Sequence, residues 1–190
     1  MKKYYIKILN MNKINAMKRL KEEYISASRD PSNSIGITFS LPIEDNYFQW
    51  KIILVGPRGT SYEGGLFMIY INFPDDYPNS CPKFVFETPI YHINVNPIKS
   101  DKPGAAPLGH VFSPLSKYWK PEYKMFDVIM QLYAYIFYMA DPDSPYGLDR
   151  VNEFRFNKAL YEEKIKYFTK KYNIVGTNED NFESWDFFYP

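Results

Sequence analysis

Cysteine is almost missing from this chain: Cys81 is the one thiol in 190 residues. A disulfide framework within the chain is therefore excluded, and a reducing compartment suits the composition. Histidine is nearly as scarce, represented by His92 and His110. Cys81, His92 and His110 have no paired ligand spacing, no CxxC and no HxxxH, so the sequence points to no metal centre and to no cofactor. An excess of either charge is also lacking. The 23 Lys and Arg against 22 Asp and Glu leave a net +1, which gives no field to gather nucleic acid or anionic lipid. The longest apolar run, Val128–Ala140, contains Gln131 and falls short of the roughly 18 residues that a membrane span needs. Gly56–Gly65 is rich in glycine but lacks the GxxxxGK pattern of a phosphate loop and precedes a strand-like run, so it reads as a turn. No internal repeat is visible.

What is present suffices for one domain. Hydrophobic residues make up 45% and aromatics 19% of the chain, enough for a full core. Ile14, Met17, Leu20 and Tyr24 recur at helical spacing and predict an amphipathic helix over about 11–27, stopped by Asp30-Pro31-Ser32-Asn33. Three strand-like runs follow at Ile35–Leu41, Phe48–Val55 and Leu66–Phe73, with a fourth at Lys83–Glu87. Short turns join them, which predicts an antiparallel meander. Residues Val95–Leu108 form a polar loop without periodicity, Met125–Met139 a buried central helix, and Asp149–Tyr172 a further helical stretch. Lys99–Lys102 reads as a solvated loop tip, and Lys164, Lys166, Lys170 and Lys171 as a solvated face. The fold class is α+β.

This order of elements, and the residues within it, resemble the ubiquitin-conjugating enzyme domain over about Met11–Lys171. The likeness is carried by Met17-Lys18-Arg19-Leu20 in the first helix and by Trp50, Gly56-Pro57, Gly59-Thr60, Tyr62-Glu63-Gly64-Gly65 and Phe67 around the second turn. It continues through Phe73-Pro74, Tyr77-Pro78, Pro82-Lys83 and Phe86, then Tyr91-His92 with Asn94, then Trp119 and Pro121, and ends in Asp141-Pro142-Asp143-Ser144-Pro145. The resemblance implies a domain over residues 1–172 with its core at about 11–172, and an aromatic extension over 173–190.

The resemblance also implies a site, and this chain departs from it. Family members carry a cysteine three residues after a glycine that follows the His-Pro-Asn loop. That thiol accepts ubiquitin as a thioester. Counting from Gly109, the matching residue is Phe112. An alcohol is a far poorer nucleophile than a thiolate, and its ester a poorer donor. Cys81 precedes the His loop and reads as a small structural thiol. Ser113 and Ser116 lie near the right position, with His110 close in sequence as a conceivable base. Asn94 matches the family's oxyanion-stabilising asparagine, while Ile93 replaces the motif's proline; His92 and Asn94 thus read as a vestigial motif. Asn79 and Glu122 stand where the family presents apolar ligase contacts, and Val95–Leu108 exceeds the family's short turn.

The expectation is accordingly no catalytic residue, no enzyme activity, and a binding or scaffold role without cofactor. The alternatives are an active conjugating enzyme with an unusual acceptor, and a partner of an active enzyme that binds ubiquitin non-covalently. Asn79-Ser80-Cys81-Pro82, Pro89-Ile90-Tyr91-His92, Val95-Asn96-Pro97 and Asp127-Val128-Ile129-Met130 are similar to the inactive fused-toes type, which implies a coiled-coil Hook adaptor or neighbours in a large assembly as partners. The tail carries Phe182, Trp185, Phe187, Phe188 and Tyr189. It either packs back on the domain or anchors a partner, with Trp185, Phe187, Phe188 and Tyr189 as the candidate contacts. The expected compartment is the cytoplasm; the alternative is the mitochondrion, because the first 21 residues hold several Lys and no acid.

Overall fold

A computed structural model describes residues 2–29, 36–100 and 102–173, the first nine of these through their backbone. Helix α1 (Lys2–Ser28) leads into strands β1 (Ile37–Ser40), β2 (Gln49–Val55), β3 (Leu66–Asn72) and β4 (Lys83–Phe86). These form one antiparallel sheet in the order β1-β2-β3-β4, each strand beside its sequence neighbour. A short helix α2 (Leu115–Tyr118) precedes the central α3 (Met125–Phe137), and α4 (Leu148–Phe156) and α5 (Lys158–Lys171) complete the order. No helix among the described residues is long and apolar enough to cross a membrane.

Period-two alternation builds the sheet. In β2, Trp50, Ile52 and Leu54 are fully buried while Gln49, Lys51, Ile53 and Val55 are half-buried. In β3, Phe67, Ile69 and Ile71 repeat the pattern. Register sets Ile52 opposite Ile69 and Trp50 opposite Ile71, so the buried residues of neighbouring strands share one face. Helix α3 covers that face with Met125, Val128, Ile129, Leu132 and Ile136. Each such side chain contributes on the order of 1.5–3 kcal/mol when fully buried. The opposite face of the sheet presents Ile53, Met68, Tyr70 and Val85, none of them buried.

Helix α1 differs from its sequence reading. Its buried side is Ala16, Leu20, Glu23 and Ala27, whereas Ile14 and Met17 are exposed at 66% and 42%. The apolar residues fall on two sides of the helix, and the domain takes the narrower one. Small Ala16 and Ala27 permit a close approach that Ile14 and Met17 would prevent. Glu23 fixes the contact: its carboxylate accepts from Arg19 Nε at 2.6 Å, from Tyr77 Oη at 3.3 Å and from the Met125 N–H at 2.7 Å. Met125 opens α3, so a buried charge meets the positive end of that helix.

The stretch 149–172 is two helices. Asn157, with φ −142° and ψ 63°, interrupts it, and its side-chain oxygen accepts from the Leu160 N–H to cap α5. Lys164 leaves the solvated face assigned to it. It is 16% exposed and bonds Glu153 Oε1 at 2.7 Å, because α5 turns that side toward α4.

Candidate functional site

The stretch after β4 runs inward. Residues 91–97 are all buried, although they include His92, Asn94 and Asn96. Buried polar groups must find partners, and these do. Asn94 Nδ2 donates to the carbonyls of Asp141 at 2.7 Å and Ser144 at 2.8 Å, while its Oδ1 accepts from the Asp141 N–H at 2.9 Å. The amide is committed to the turn between α3 and α4. An oxyanion donor has to be free to point at a reacting carbonyl, and this geometry leaves Asn94 holding two loops together.

His92 is fully buried. Its Nδ1 accepts from the Asn94 N–H at 3.0 Å, so the proton of the neutral ring belongs on Nε2. Nε2 faces the Ile136 backbone without regular hydrogen-bond geometry. Burial, and then the Arg150 cation, push its pKa down to about 3, with the Ile136 backbone opposing in part. Arg150 is itself buried: Nη1 donates to the His92 carbonyl at 3.2 Å, and the guanidinium lies 4.4 Å from the centre of the Tyr91 ring. Tyr161 Oη accepts from the Ile93 N–H at 3.1 Å, and Tyr91 Oη donates to Glu153 at 2.6 Å. Arg150, Glu153 and Tyr161 went unnoticed in the sequence, because their partners lie about sixty residues away and no local spacing marks them.

Residues 109–112 return along the sheet. Phe86 N–H donates to the Gly109 carbonyl, Val111 N–H to the Phe84 carbonyl, and Phe112 N–H to the Asn94 carbonyl. Gly109 has φ +77°, and a Cβ there would collide with the Phe86 carbonyl, so only glycine fits this crossing. Three residues on, the Phe112 ring is 47% exposed and packs edge-on against Tyr146 with centroids 6.1 Å apart. Tyr146 Oη in turn lies 2.7 Å from His110 Nδ1. Ser113 Oγ is buried and accepts from the Leu115 N–H at 3.2 Å, which starts α2. His110 therefore meets Tyr146, and among the described residues no bond links it to Ser113 or Ser116.

Cys81 sits in the turn before β4, half-buried and packed against the core. Its Sγ is 3.4 Å from the Pro82 carbonyl, and burial pushes the thiol up to about 11. At neutral pH about one molecule in ten thousand would hold the reactive thiolate. Asn94 and Cys81 share no hydrogen bond. Asn79 and Glu122 are both exposed, so their polar groups remain in water. Among the described residues no cluster of three His, Cys, Asp or Glu could hold a metal. The aromatic candidates Trp185, Phe187, Phe188 and Tyr189 lie outside the described residues.

The long loop is closed at its neck. Asn96 Nδ2 donates to the carbonyls of Ile98, Ala106 and Pro107, and its Oδ1 accepts from the Ile98 N–H. Backbone bonds from Gly109 N–H to Asn96 and from Asn96 N–H to His110 complete the closure.

The helix, four-strand meander, buried His-Asn loop and central helix agree with a known pattern: the ubiquitin-conjugating enzyme family model matches residues 19–169. The chain belongs to the ubiquitin-conjugating enzyme family. The crystal structure of a Plasmodium yoelii protein described as a ubiquitin conjugating enzyme superposes with a TM-score of 0.69 at 27% identity, covering 83% of this chain and 95% of that one. The matched residues take in the sheet, the His-Asn loop and α3. The 95–108 loop departs from the short turn that the sequence resemblance implied.

Proposed function

We propose that this member of the ubiquitin-conjugating enzyme family carries no ubiquitin and works as a protein-binding or scaffold subunit. The observation behind the reading is Phe112, which stands three residues after Gly109 where the family's thiol is expected. Phenyl carbon offers no lone pair to an acyl group, and carrier chemistry needs a thiolate. Three neighbours support it. Asn94 spends its amide on the 141–144 turn, His92 is held neutral in the interior, and the sole thiol is pushed away from ionisation.

Surfaces that the fold leaves open would serve the binding role: the outer face of the sheet and the long loop. The short motifs shared with the fused-toes type favour a coiled-coil adaptor as the partner, within the cytoplasm. The half-exposed row Ile53, Met68 and Tyr70 favours a second reading, non-covalent ubiquitin binding by the sheet. A working transferase using Ser113 or Cys81 has less behind it, because the hydroxyl is buried against the Leu115 N–H and the thiol is protonated.

Incubation of the full chain with activating enzyme, ATP and ubiquitin tests the proposal on non-reducing gels. The expected result is no adduct. A thioester or oxyester on this chain overturns it, and its loss in Cys81→Ala or Ser113→Ala names the acceptor. Titration of labelled ubiquitin addresses the second reading: shifts on one contiguous ubiquitin patch support it, and an unchanged spectrum removes it.

A further inference from the structure

The turn between β2 and β3 carries three hydroxyls in a row, and the fold uses two of them. Thr60 Oγ1 donates to the Pro57 carbonyl at 2.7 Å and accepts from the Tyr62 N–H at 3.2 Å. Tyr62 is buried, with its Oη donating to the Tyr91 carbonyl at 3.1 Å. Ser61, half-exposed between them, has a hydroxyl that bonds nothing among the described residues. The outer side of the turn is open: no atom lies within 4 Å of the place a Cβ would take at Gly59 or Gly64. Arg58 is exposed three residues before Ser61, the spacing that arginine-directed serine kinases read.

The inner side of the turn lies on α5. Asn173 Nδ2 donates to the Gly64 carbonyl at 3.1 Å, and a Cβ at Gly65 would meet Thr169. Two hollows flank this contact, of about 650 and 560 Å³; Ser61 and Lys166 wall both, and Lys170 walls the second. Lys166 and Lys170 stand one turn apart on the same side of α5, both exposed. The other lysines of the helix have partners: Lys158 has Glu162 at 3.8 Å, Lys164 has Glu153 and Lys171 has the Tyr167 hydroxyl. Lys166 and Lys170 have neither ion pair nor hydrogen bond among the described residues. Glu63 also walls both hollows, but its Oε2 accepts from the Gly59 N–H at 2.8 Å. Like charges at the Lys166–Lys170 spacing repel, and an anion set between them turns that repulsion into two attractions.

We propose that Ser61 is a phosphorylation site whose phosphate is received by Lys166 and Lys170, fastening the 56–65 turn to α5. In the transfer the bond from the γ-phosphorus of ATP to the ADP oxygen breaks and one from phosphorus to Ser61 Oγ forms. ADP leaves, and the hydroxyl proton passes to the kinase's aspartate. The product carries nearly two negative charges and three acceptor oxygens, facing two ammonium groups with no counter-charge of their own. The inference goes beyond the proposed function, since a scaffold and a carrier could both be modified here.

Two measurements on the full chain test this. Incubation with calmodulin-dependent kinase and ATP, followed by mass spectrometry of the peptides, should place phosphate on Ser61. Uptake there should fall about tenfold in Arg58→Ala, which removes the recognised cation. Arg29 and Ser32 have the same spacing, so phosphate on Ser32 with none on Ser61 overturns the proposal, as does an unmodified chain. The second measurement reads the receptor in a chain carrying phosphoserine at position 61, installed by codon suppression. A free phosphoserine titrates near pH 6. By phosphorus NMR the midpoint here should lie about 0.5 pH unit below that of the same chain with Lys166→Gln and Lys170→Gln. Both lysines are exposed, so the double variant keeps the fold, and the difference should shrink in about 1 M salt. Equal midpoints in the two proteins remove the receptor and overturn the proposal.

Discussion

Single residues show where this domain commits its polar atoms. His92 is the clearest case, because its side chain is enclosed and its pKa falls from the usual 6.5 to about 3. The unfolded chain binds a proton near pH 6.5 that the native chain refuses until about pH 3, so folding stability rises with pH across that window and is lost as pH falls through it. Over the upper part, from pH 6.5 to 5, one proton contributes roughly 2 kcal/mol. Denaturant melts at those two pH values should therefore separate the native chain from His92→Gln. The glutamine keeps an acceptor for the Asn94 N–H and cannot take charge. Its absolute stability should be lower at pH 7.5, and its decline toward pH 5 should be shallower by about that amount. Equal declines in both proteins would remove the role given to His92.

At the scale of elements, the strands are where the sequence was most readable. A strand with one face on the core imposes alternation, and Trp50, Ile52 and Leu54 obey it without exception. The pattern predicts unequal outcomes for adjacent, chemically identical residues. Ile52→Ala should cost about 2–5 kcal/mol as a core cavity, whereas Ile53→Ala, on the open face opposite Met68, should cost less than about 1 kcal/mol. Urea midpoints at constant slope would measure both. Helices were less readable, for two different reasons. In α1 apolar residues occupy two sides, so spacing alone could not say that Ala16 and Ala27 face inward while Ile14 and Met17 face out. In 149–172 the break at Asn157 carried only the ordinary signal of a capping residue inside a helical pattern. The short helix α2 likewise had one cue, Ser113-Pro114 ahead of Leu115. The site was legible in its residue types but not in its wiring. His92, Asn94 and Phe112 could be aligned by motif, yet the bonds from Asn94 to Asp141 and Ser144 and from Arg150 to His92 join segments about fifty residues apart.

For the whole molecule, Glu23 binds three distant parts into one unit: α1, the Tyr77 turn and the first residue of α3. Truncation to alanine leaves Arg19 Nε and the Met125 N–H without their acceptor, while Arg19 Nη2 keeps the Tyr123 carbonyl, and breaking a buried charged network of this kind costs about 3–5 kcal/mol. Glu23→Ala should therefore lower the thermal midpoint by on the order of 10 °C. The loss should appear together in tryptophan fluorescence, which sums buried Trp50 with Trp119 and Trp185, and in far-ultraviolet circular dichroism. Separate transitions by the two probes would mean that α1 melts away from the sheet. The tie also explains how α1 stays docked while contributing so little apolar surface.

The neck formed by Asn96 leads to a practical end. Its amide gathers Ile98, Ala106 and Pro107 at one point, and the backbone beyond, from Lys102 to Ala105, is exposed. Extra sequence grafted between Lys102 and Pro103 would hang outside the clasp, and closing a longer loop adds only about 0.6 kcal/mol per doubling. The domain thus offers a ready attachment point for a fluorophore tag or an epitope, close to the His92 and Asn94 loop yet insulated from the sheet.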